Sequence, residues 1–472
     1  MQKLSLKTKT FYGLGFASRG IKDGLFQLFL VLYFSQILGL DARLAGLSSL
    51  IALSFDAISD PMVGILSDKW KSKNWGRRHP FMLASTLPFG IFIYILFAPP
   101  PTLSEMGLFW WLTGFGILVR LSMTFFIVPY ISLGAELSKD YKERTTITAS
   151  RLMFAAILSP VVMIIGYVFF LTPSEAYPNG ALDKDNYPNF ILLCSTLIIL
   201  FIVISTLMTK DVIPTLPRPS EKQNNLSVSQ LLSSVKAAFK MPSFRSLVSF
   251  TMFLYVGIGI GVILSPYFSI YFFEFTTTEM AVLPISSAIG GILAMVIAPN
   301  LGDKLDKKSA AIWGTILAGI FFTSPFSLSL LGLFPAPNSE TLLLVYVITL
   351  IIAYASLWVT FSLGASMMAD VVDEFELQSG NRQEGLFFSS MSFAHKMTTG
   401  VGTLIAGLLL AWIQFPEQTN LADVPASAIE GLGYIGGPLL FIFYIGAIAF
   451  LVFYPINKAR YKEIRAGLDR RN

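Results

Sequence analysis

A single cysteine, Cys194, rules out a disulfide framework or a thiolate metal site within the chain, and two histidines leave little for acid–base chemistry. Charge is scarce too. Asp, Glu, Lys and Arg together make up 13% of the 472 residues, the wrong balance for a set of soluble domains. No nucleophile paired with a base, no metal-ligand spacing and no phosphate loop occurs, so neither an enzyme nor a cofactor is expected. A cleavable signal peptide is not expected either, since no small-residue cleavage site follows the first apolar run after the basic start. What is present is apolar: hydrophobic residues make up 54%, with 41 Phe, which indicates an all-α membrane protein.

Apolar stretches fit twelve spans, near 10–39, 43–68, 80–98, 107–137, 146–171, 188–208, 244–273, 279–301, 309–333, 341–370, 385–414 and 430–455. Placing both termini in the cytoplasm leaves only Arg43 and Lys184 among the basic residues of the outer links, so the positive-inside rule sets the orientation. The net charge of +5 therefore follows the membrane, and nucleic acid is not expected as a partner. The link 210–243 carries Pro214, Pro217 and Pro219 and then Ser227–Lys240, which is suited to a short amphipathic surface helix. It divides a six-helix half, 1–209, from a second half, 244–457, with a basic cytoplasmic tail at 458–472.

The two halves share a signature. After span 2 come Gly64 and Asp68-Lys69, then Gly76-Arg77-Arg78; after span 8 come Gly302-Asp303-Lys304, then Asp306-Lys307-Lys308. An acidic residue followed by a basic cluster, twice at the same point of a six-span unit, is an internal repeat. In this the chain resembles the major facilitator superfamily. The resemblance implies two six-helix bundles and a cytoplasmic gate in which Gly64, Asp68, Arg77 and Arg78 take part, Asp68 lying near a helix start or pairing with arginine. Simple positive-inside anchoring is the alternative.

Charges inside the spans point to function, because an ionised side chain near the bilayer centre costs at least about 2.5 kcal/mol. Asp56 and Asp60 are four apart on one helix face, where like charges repel, so a cation, a proton or a basic neighbour must offset them. In span 1, Arg19 and Asp23 are an i,i+4 pair able to neutralise each other. Arg120 in span 4 has no anion within a turn, so its counter-charge is Asp56, Asp60, Asp23 or a substrate anion. After span 10, a loop dense in acids (Asp370, Asp373, Glu374, Glu376) leads through Arg382 to Lys396 in span 11, which is expected to face the cavity between the halves. His395, about 100° away from Lys396, is expected to be packed rather than a proton relay.

With Asp56-Ala-Ile-Ser-Asp60-Pro61, Trp75-Gly76-Arg77-Arg78, Pro129-Tyr130, Arg144, Arg151, Asp370–Gly385 and Lys396, the chain resembles the glycoside-pentoside-hexuronide:cation symporters, the melibiose permease group, over nearly its whole length. The resemblance implies that Asp56 and Asp60 bind the coupling cation, sodium or proton, and that Ser59 and Thr124 supply neutral oxygens. It also implies that Arg151 lies near the substrate path and that Lys396 couples the cation and substrate sites; Asp23 and Arg120 are added to the substrate and coupling set as charges inside the spans, not by the resemblance. Asp370, Asp373 and Arg382 belong to the gate of the second half. The chain departs from the pattern at Ile127 and Ile131, where melibiose permease has a shared aspartate and a sugar-stacking tryptophan, and at Arg120, where it has a small residue. A lysophospholipid-carrying branch of the same larger group shares the apolar Pro-Tyr stretch. The expectation is a monomeric plasma-membrane (inner-membrane) symporter of a small molecule, a sugar or glycoside; the alternative is a mover of lysophospholipid or another amphiphile with weak or no ion coupling.

Overall fold

The computed structural model describes residues 4–70, 72, 74–138, 140–216, 238–380, 383–418 and 423–470. Helices and short connections account for all of these, with no strand among the described residues. Most of the surface helix expected at Ser227–Lys240 lies outside the described residues, as does Arg382.

The first span, α1, is a broken helix: Leu6–Gly15, then Ala17–Leu25, then π-helical turns at Phe26–Leu30 and Tyr33–Ile37. Among the described residues, eleven further segments are long and apolar enough to cross a membrane. They are α2 (Ala42–Lys69), α3 (His79–Leu96), α4 (Glu105–Glu136), α5 (Tyr141–Ile165, extended by a π turn), α6 (Tyr187–Met208), α7 (Pro242–Tyr267, likewise extended), α8 (Leu283–Lys304), α9 (Lys307–Leu330), α10 (Leu342–Ser379), α11 (Glu384–Trp412) and α12 (Ala426–Tyr434, continued as Leu440–Val452). A short polar helix, α13 (Lys458–Asp469), follows. Side-chain caps start several of them: Asp41 accepts from the Arg43 amide at 2.7 Å and Ser104 from the Gly107 amide at 3.2 Å.

The chain forms two compact units. The first holds α1–α6 with Phe275–Pro284 and Leu410–Val424, and the second holds the remainder of the later helices. By sequence those two stretches belong to the second half. They join the first unit through polar bonds that spacing does not reveal: Asn179 Nδ2 donates to the Phe275 carbonyl (3.0 Å), the Gly180 amide to Thr277 Oγ1 (3.0 Å), and Gln36 Nε2 to the Pro416 carbonyl (3.1 Å).

In the first unit, glycines let α1 approach α5. A Cβ at Gly13 would stand 2.5 Å from Ser150 Oγ, and one at Gly20 3.0 Å from Ser159 Cβ. Reciprocal bonds join α1 to α4: Tyr12 donates to the Tyr130 carbonyl (3.1 Å), Tyr130 to the Tyr12 carbonyl (2.6 Å), and the two rings stack at 4.4 Å. The start of α1 is also tied to α5. Lys9 pairs with Glu143 at 2.9 Å, and Ser138 Oγ and the Leu4 amide donate to the same carboxylate. The Lys9 and Ser138 hydrogen bonds hold the Glu143 carboxyl below its usual range. Its stabilising contribution is therefore complete above the ordinary glutamate pKa and is lost as pH falls through the lowered, folded value. Hydrogen exchange is expected to show residues 4–9 losing protection under acid. Glu143→Gln should lose that acid transition; an unchanged transition in the variant would contradict the assignment.

In the second unit, α7 and α11 cross backbone to backbone. A Cβ at Gly402 would lie 2.6 Å from the Val256 carbonyl oxygen, which cannot rotate away. Gly402→Leu is expected to destabilise the protein by at least about 1–3 kcal/mol, the cost of overpacking a close contact. Guanidinium or thermal unfolding in detergent measures it, and a wild-type midpoint would argue against this crossing. Near the same crossing, His395 lies against the Tyr255 ring at 3.8 Å between centroids, the packed arrangement expected for it.

Candidate cation site and its charged surroundings

α2 and α4 run side by side in parallel register. Ala52 faces Gly116, where a Cβ would be 3.8 Å away, and Gly64 faces Val128 at 3.6 Å, a constant offset along both helices. Two i,i+4 pairs are thereby set opposite each other, Asp56 and Asp60 on α2 and Arg120 and Thr124 on α4. Thr124 Oγ1 lies 2.9 Å from Asp56 Oδ1 and 2.9 Å from Asp60 Oδ1. Thr124 and Asp56 are essentially inaccessible to solvent, at 0% and 1% exposure, and Asp60 is half-buried. Ser59 donates to the Asp56 main-chain carbonyl at 3.2 Å, so its hydroxyl steadies the helix turn beside the carboxylates. Pro61, inside α2, offers no N–H to the carbonyl four residues earlier, which loosens the backbone at the same turn.

A hydroxyl carries one proton. Placed between two carboxylate oxygens, Thr124 can donate to one of them, and the second contact is favourable when the other carboxyl is protonated or when a cation lies between the oxygens. The arrangement is thus suited to a small hard cation or a proton, with oxygen ligands from two helices.

Arg120 Nη1 is 3.9 Å from Asp56 Oδ2, close enough for Coulomb attraction and too far for a hydrogen bond. The guanidinium lies 5.4 Å from the Phe26 ring centre, and no hydrogen bond reaches its Nε. Asp23 pairs with Arg19 at 3.3 Å, as the i,i+4 spacing suggests, and also with the adjacent Lys22 at 2.5 Å. Arg151 lies over Phe16 at 5.0 Å, and its Nε likewise lacks a hydrogen bond. Lys396, on α11 in the second unit, is half-buried. Of the residues singled out by sequence, Asp56, Asp60, Thr124 and Arg120 thus come together on α2 and α4. Asp23, on α1, adjoins this group, because its partner Lys22 shares the Phe26 ring with Arg120; the role of Lys22 as a counter-ion was not anticipated, its only signal being adjacency to Asp23.

The two loop signatures hold similar ion-pair clusters. In the first unit, Arg78 donates to Ser67 Oγ (2.8 Å), pairs with Asp68 (2.5 Å) and shares Glu136 with Arg77, each through a 2.8 Å bond. Glu136, at the end of α4, escaped the sequence reading because only packing brings it to the loop. In the second unit, Lys307 binds both oxygens of Asp370 (2.8 and 2.7 Å), Arg465 of α13 reaches Asp373 (3.4 Å), and Ser243 donates to Glu374 at 2.5 Å. The expectation of an acidic loop after span 10 is corrected here: α10 continues to Ser379, and Asp370, Asp373 and Glu374 are buried in its last turns. Lys307 of α9 and Arg465 of α13 offset the charge of Asp370 and Asp373, and the Ser243 hydroxyl of α7 hydrogen-bonds Glu374, which makes helix and burial compatible with these acids.

Among the described residues, an all-helical fold of long apolar spans with buried charges on facing helices is that of a polytopic membrane transporter. Residues 11–458 match the model of the MFS/sugar transport protein family, and the chain belongs to that family. It is similar to YagG of Escherichia coli (strain K12), provisionally named a glycoside/cation symporter, with 25% identity over 477 residues covering 99% of this chain and 96% of that one. It is also similar, at 25% identity over 495 residues, to the sphingosine-1-phosphate transporter MFSD2B of Xenopus tropicalis, covering 99% of this chain and 91% of the relative. Among solved structures, the D-xylose-proton symporter shares the fold, with a TM-score of 0.63 at 14% identity over 95% of each chain.

Proposed function

We propose that the chain is a cation-coupled symporter that carries a sugar or glycoside by alternating access in the plasma membrane, with both termini cytoplasmic. One observation carries the coupling: the Thr124 hydroxyl is equidistant from two buried-to-half-buried carboxylates, an arrangement that a shared cation or proton completes. In this reading sodium or a proton occupies Asp56 and Asp60, with Thr124 and Ser59 as neutral oxygens. Loading the pair weakens the hold of Asp56 on Arg120, which then turns to substrate. That difference in interaction between the loaded and empty states is the coupling free energy. Arg151, Asp23 and Lys396 complete the substrate and coupling set. The gate comprises Gly64, Asp68, Arg77 and Arg78 in one half and Asp370, Asp373 and Arg382 in the other. The sugar class is supported by the family and by the glycoside assignment of YagG. An amphiphile is the second reading, supported by the lipid-transporting relative.

Proteoliposome uptake tests the coupling. Asp56→Asn and Asp60→Asn are each expected to abolish accumulation driven by a sodium or pH gradient while leaving downhill exchange measurable. Accumulation at wild-type level in both variants would overturn the assignment.

A further inference from the structure

Four cations of the first unit gather on two aromatic rings of α1. Phe16 has Arg19 at 5.5 Å and Arg151 at 5.0 Å, and Phe26 has Lys22 at 5.0 Å and Arg120 at 5.4 Å. Among the described residues, the ion pairs of these four run to two carboxylates: Asp23, shared by Arg19 and Lys22, and Asp56, 3.9 Å from Arg120. Arg120 is 8% exposed, and neither its Nε nor that of Arg151 receives a hydrogen-bond partner. Burying a guanidinium with an unmet donor is costly, and a ring face returns only about 0.5–2 kcal/mol. The cluster is not sealed: Arg19 and Asp23 have side chains 37% and 35% exposed, while Lys22, at 4%, lies behind them. Four basic side chains beside three acidic ones, Asp23, Asp56 and Asp60, with part of the cluster exposed, form an arrangement that attracts an anion.

We infer that the transported molecule is an organic oxyanion, its carboxylate or phosphate met by Arg120 and Arg151 with Lys22 nearby, and that a neutral sugar is not the cognate substrate. This deepens the transporter reading above and rests on it. The cation pair fits the same scheme. When Asp56 is satisfied by a coupling cation, the attraction it exerts on Arg120 is partly cancelled, and an incoming anion restores the balance. Cation and anion then enter together because each offsets the charge of the other. Two sources of oxyanion share this chemistry, an acid sugar and a phosphorylated single-chain amphiphile.

The purified full-length protein, at constant ionic strength, is titrated with two matched pairs of probes: glucuronate against glucose, and lysophosphatidate against monoacylglycerol of the same chain. Binding is read by intrinsic tryptophan fluorescence and by the shift in melting temperature. The acid of one pair is expected to bind at least about tenfold more tightly than its neutral partner, and the pair that responds identifies the source. Arg120→Gln and Arg151→Gln are each expected to lower the acid's affinity by about ten- to a hundredfold and the neutral partner's by clearly less. Arg120→Lys, which keeps the charge, should retain the preference for acid. Equal affinity for acid and neutral members, no response to either acid, or wild-type affinity for the acid in both Arg120→Gln and Arg151→Gln would overturn the proposal. Failure here is distinguishable from failure of symport: a neutral sugar accumulated on a cation gradient sinks the oxyanion and leaves symport standing, whereas acid binding without gradient-driven uptake does the reverse.

Discussion

Arg78→Ala is expected to destabilise the first unit by about 3–5 kcal/mol, the cost of removing one partner from a buried, hydrogen-bonded charge cluster. Arg78 is 5% exposed and serves Ser67, Asp68 and Glu136 together, so its loss leaves two carboxylates dependent on Arg77 and solvent. Lysine is not an equivalent replacement. An ammonium is a point charge without the planar fork that reaches all three partners, and Arg78→Lys should recover only part of the loss. Denaturant or thermal unfolding in detergent reads the effect. A change below about 1 kcal/mol would place Arg78 with ordinary surface ion pairs and remove its structural role.

Thr124→Val carries the second large expectation. Valine has nearly the shape of threonine and no hydroxyl, so the packing between α2 and α4 is kept while the oxygen between Asp56 and Asp60 is removed. Loss of a hydrogen bond to a charged group costs about 1.5–3 kcal/mol, which corresponds to a ten- to hundredfold weaker cation response. Thr124→Ser restores the hydroxyl and should restore most of the response. If valine and serine behave alike, the hydroxyl is not a ligand.

The Asp56–Asp60 pair was legible from sequence because residues four apart share a helix face. Thr124 was expected beside it only through the family resemblance; the parallel register of α2 and α4 that brings Arg120 and Thr124 to the two acids is seen in the structure alone. The helical fold of apolar spans was legible because bilayer thickness fixes the length of each apolar run. The partners of isolated charges were not legible. Glu136 meets Arg77 and Arg78 across more than fifty residues, and Lys307 meets Asp370 across a similar gap, at contacts set by helix packing rather than by any period. The second loop signature marked Lys307 as one of a basic group without indicating which acid it serves. The acidic turn after span 10 was read as loop because exposed charge is the usual case; its basic partners Lys307 and Arg465 and the Ser243 hydroxyl come from three other helices. The Phe16 and Phe26 platforms were hidden for a related reason, since phenylalanine in a membrane helix carries no signal that a cation lies over its ring.

The most direct test of cation binding at the carboxylate pair is a sodium titration of the melting temperature, at constant ionic strength and at acid and alkaline pH, for wild type and Asp60→Asn. A cation that binds the folded state raises its stability. Wild type should be stabilised by sodium at alkaline pH, with the sodium effect weakened by competition at acid pH if protons share the site, and Asp60→Asn should lose the response. An identical sodium and pH response in both proteins would contradict cation binding at Asp56 and Asp60.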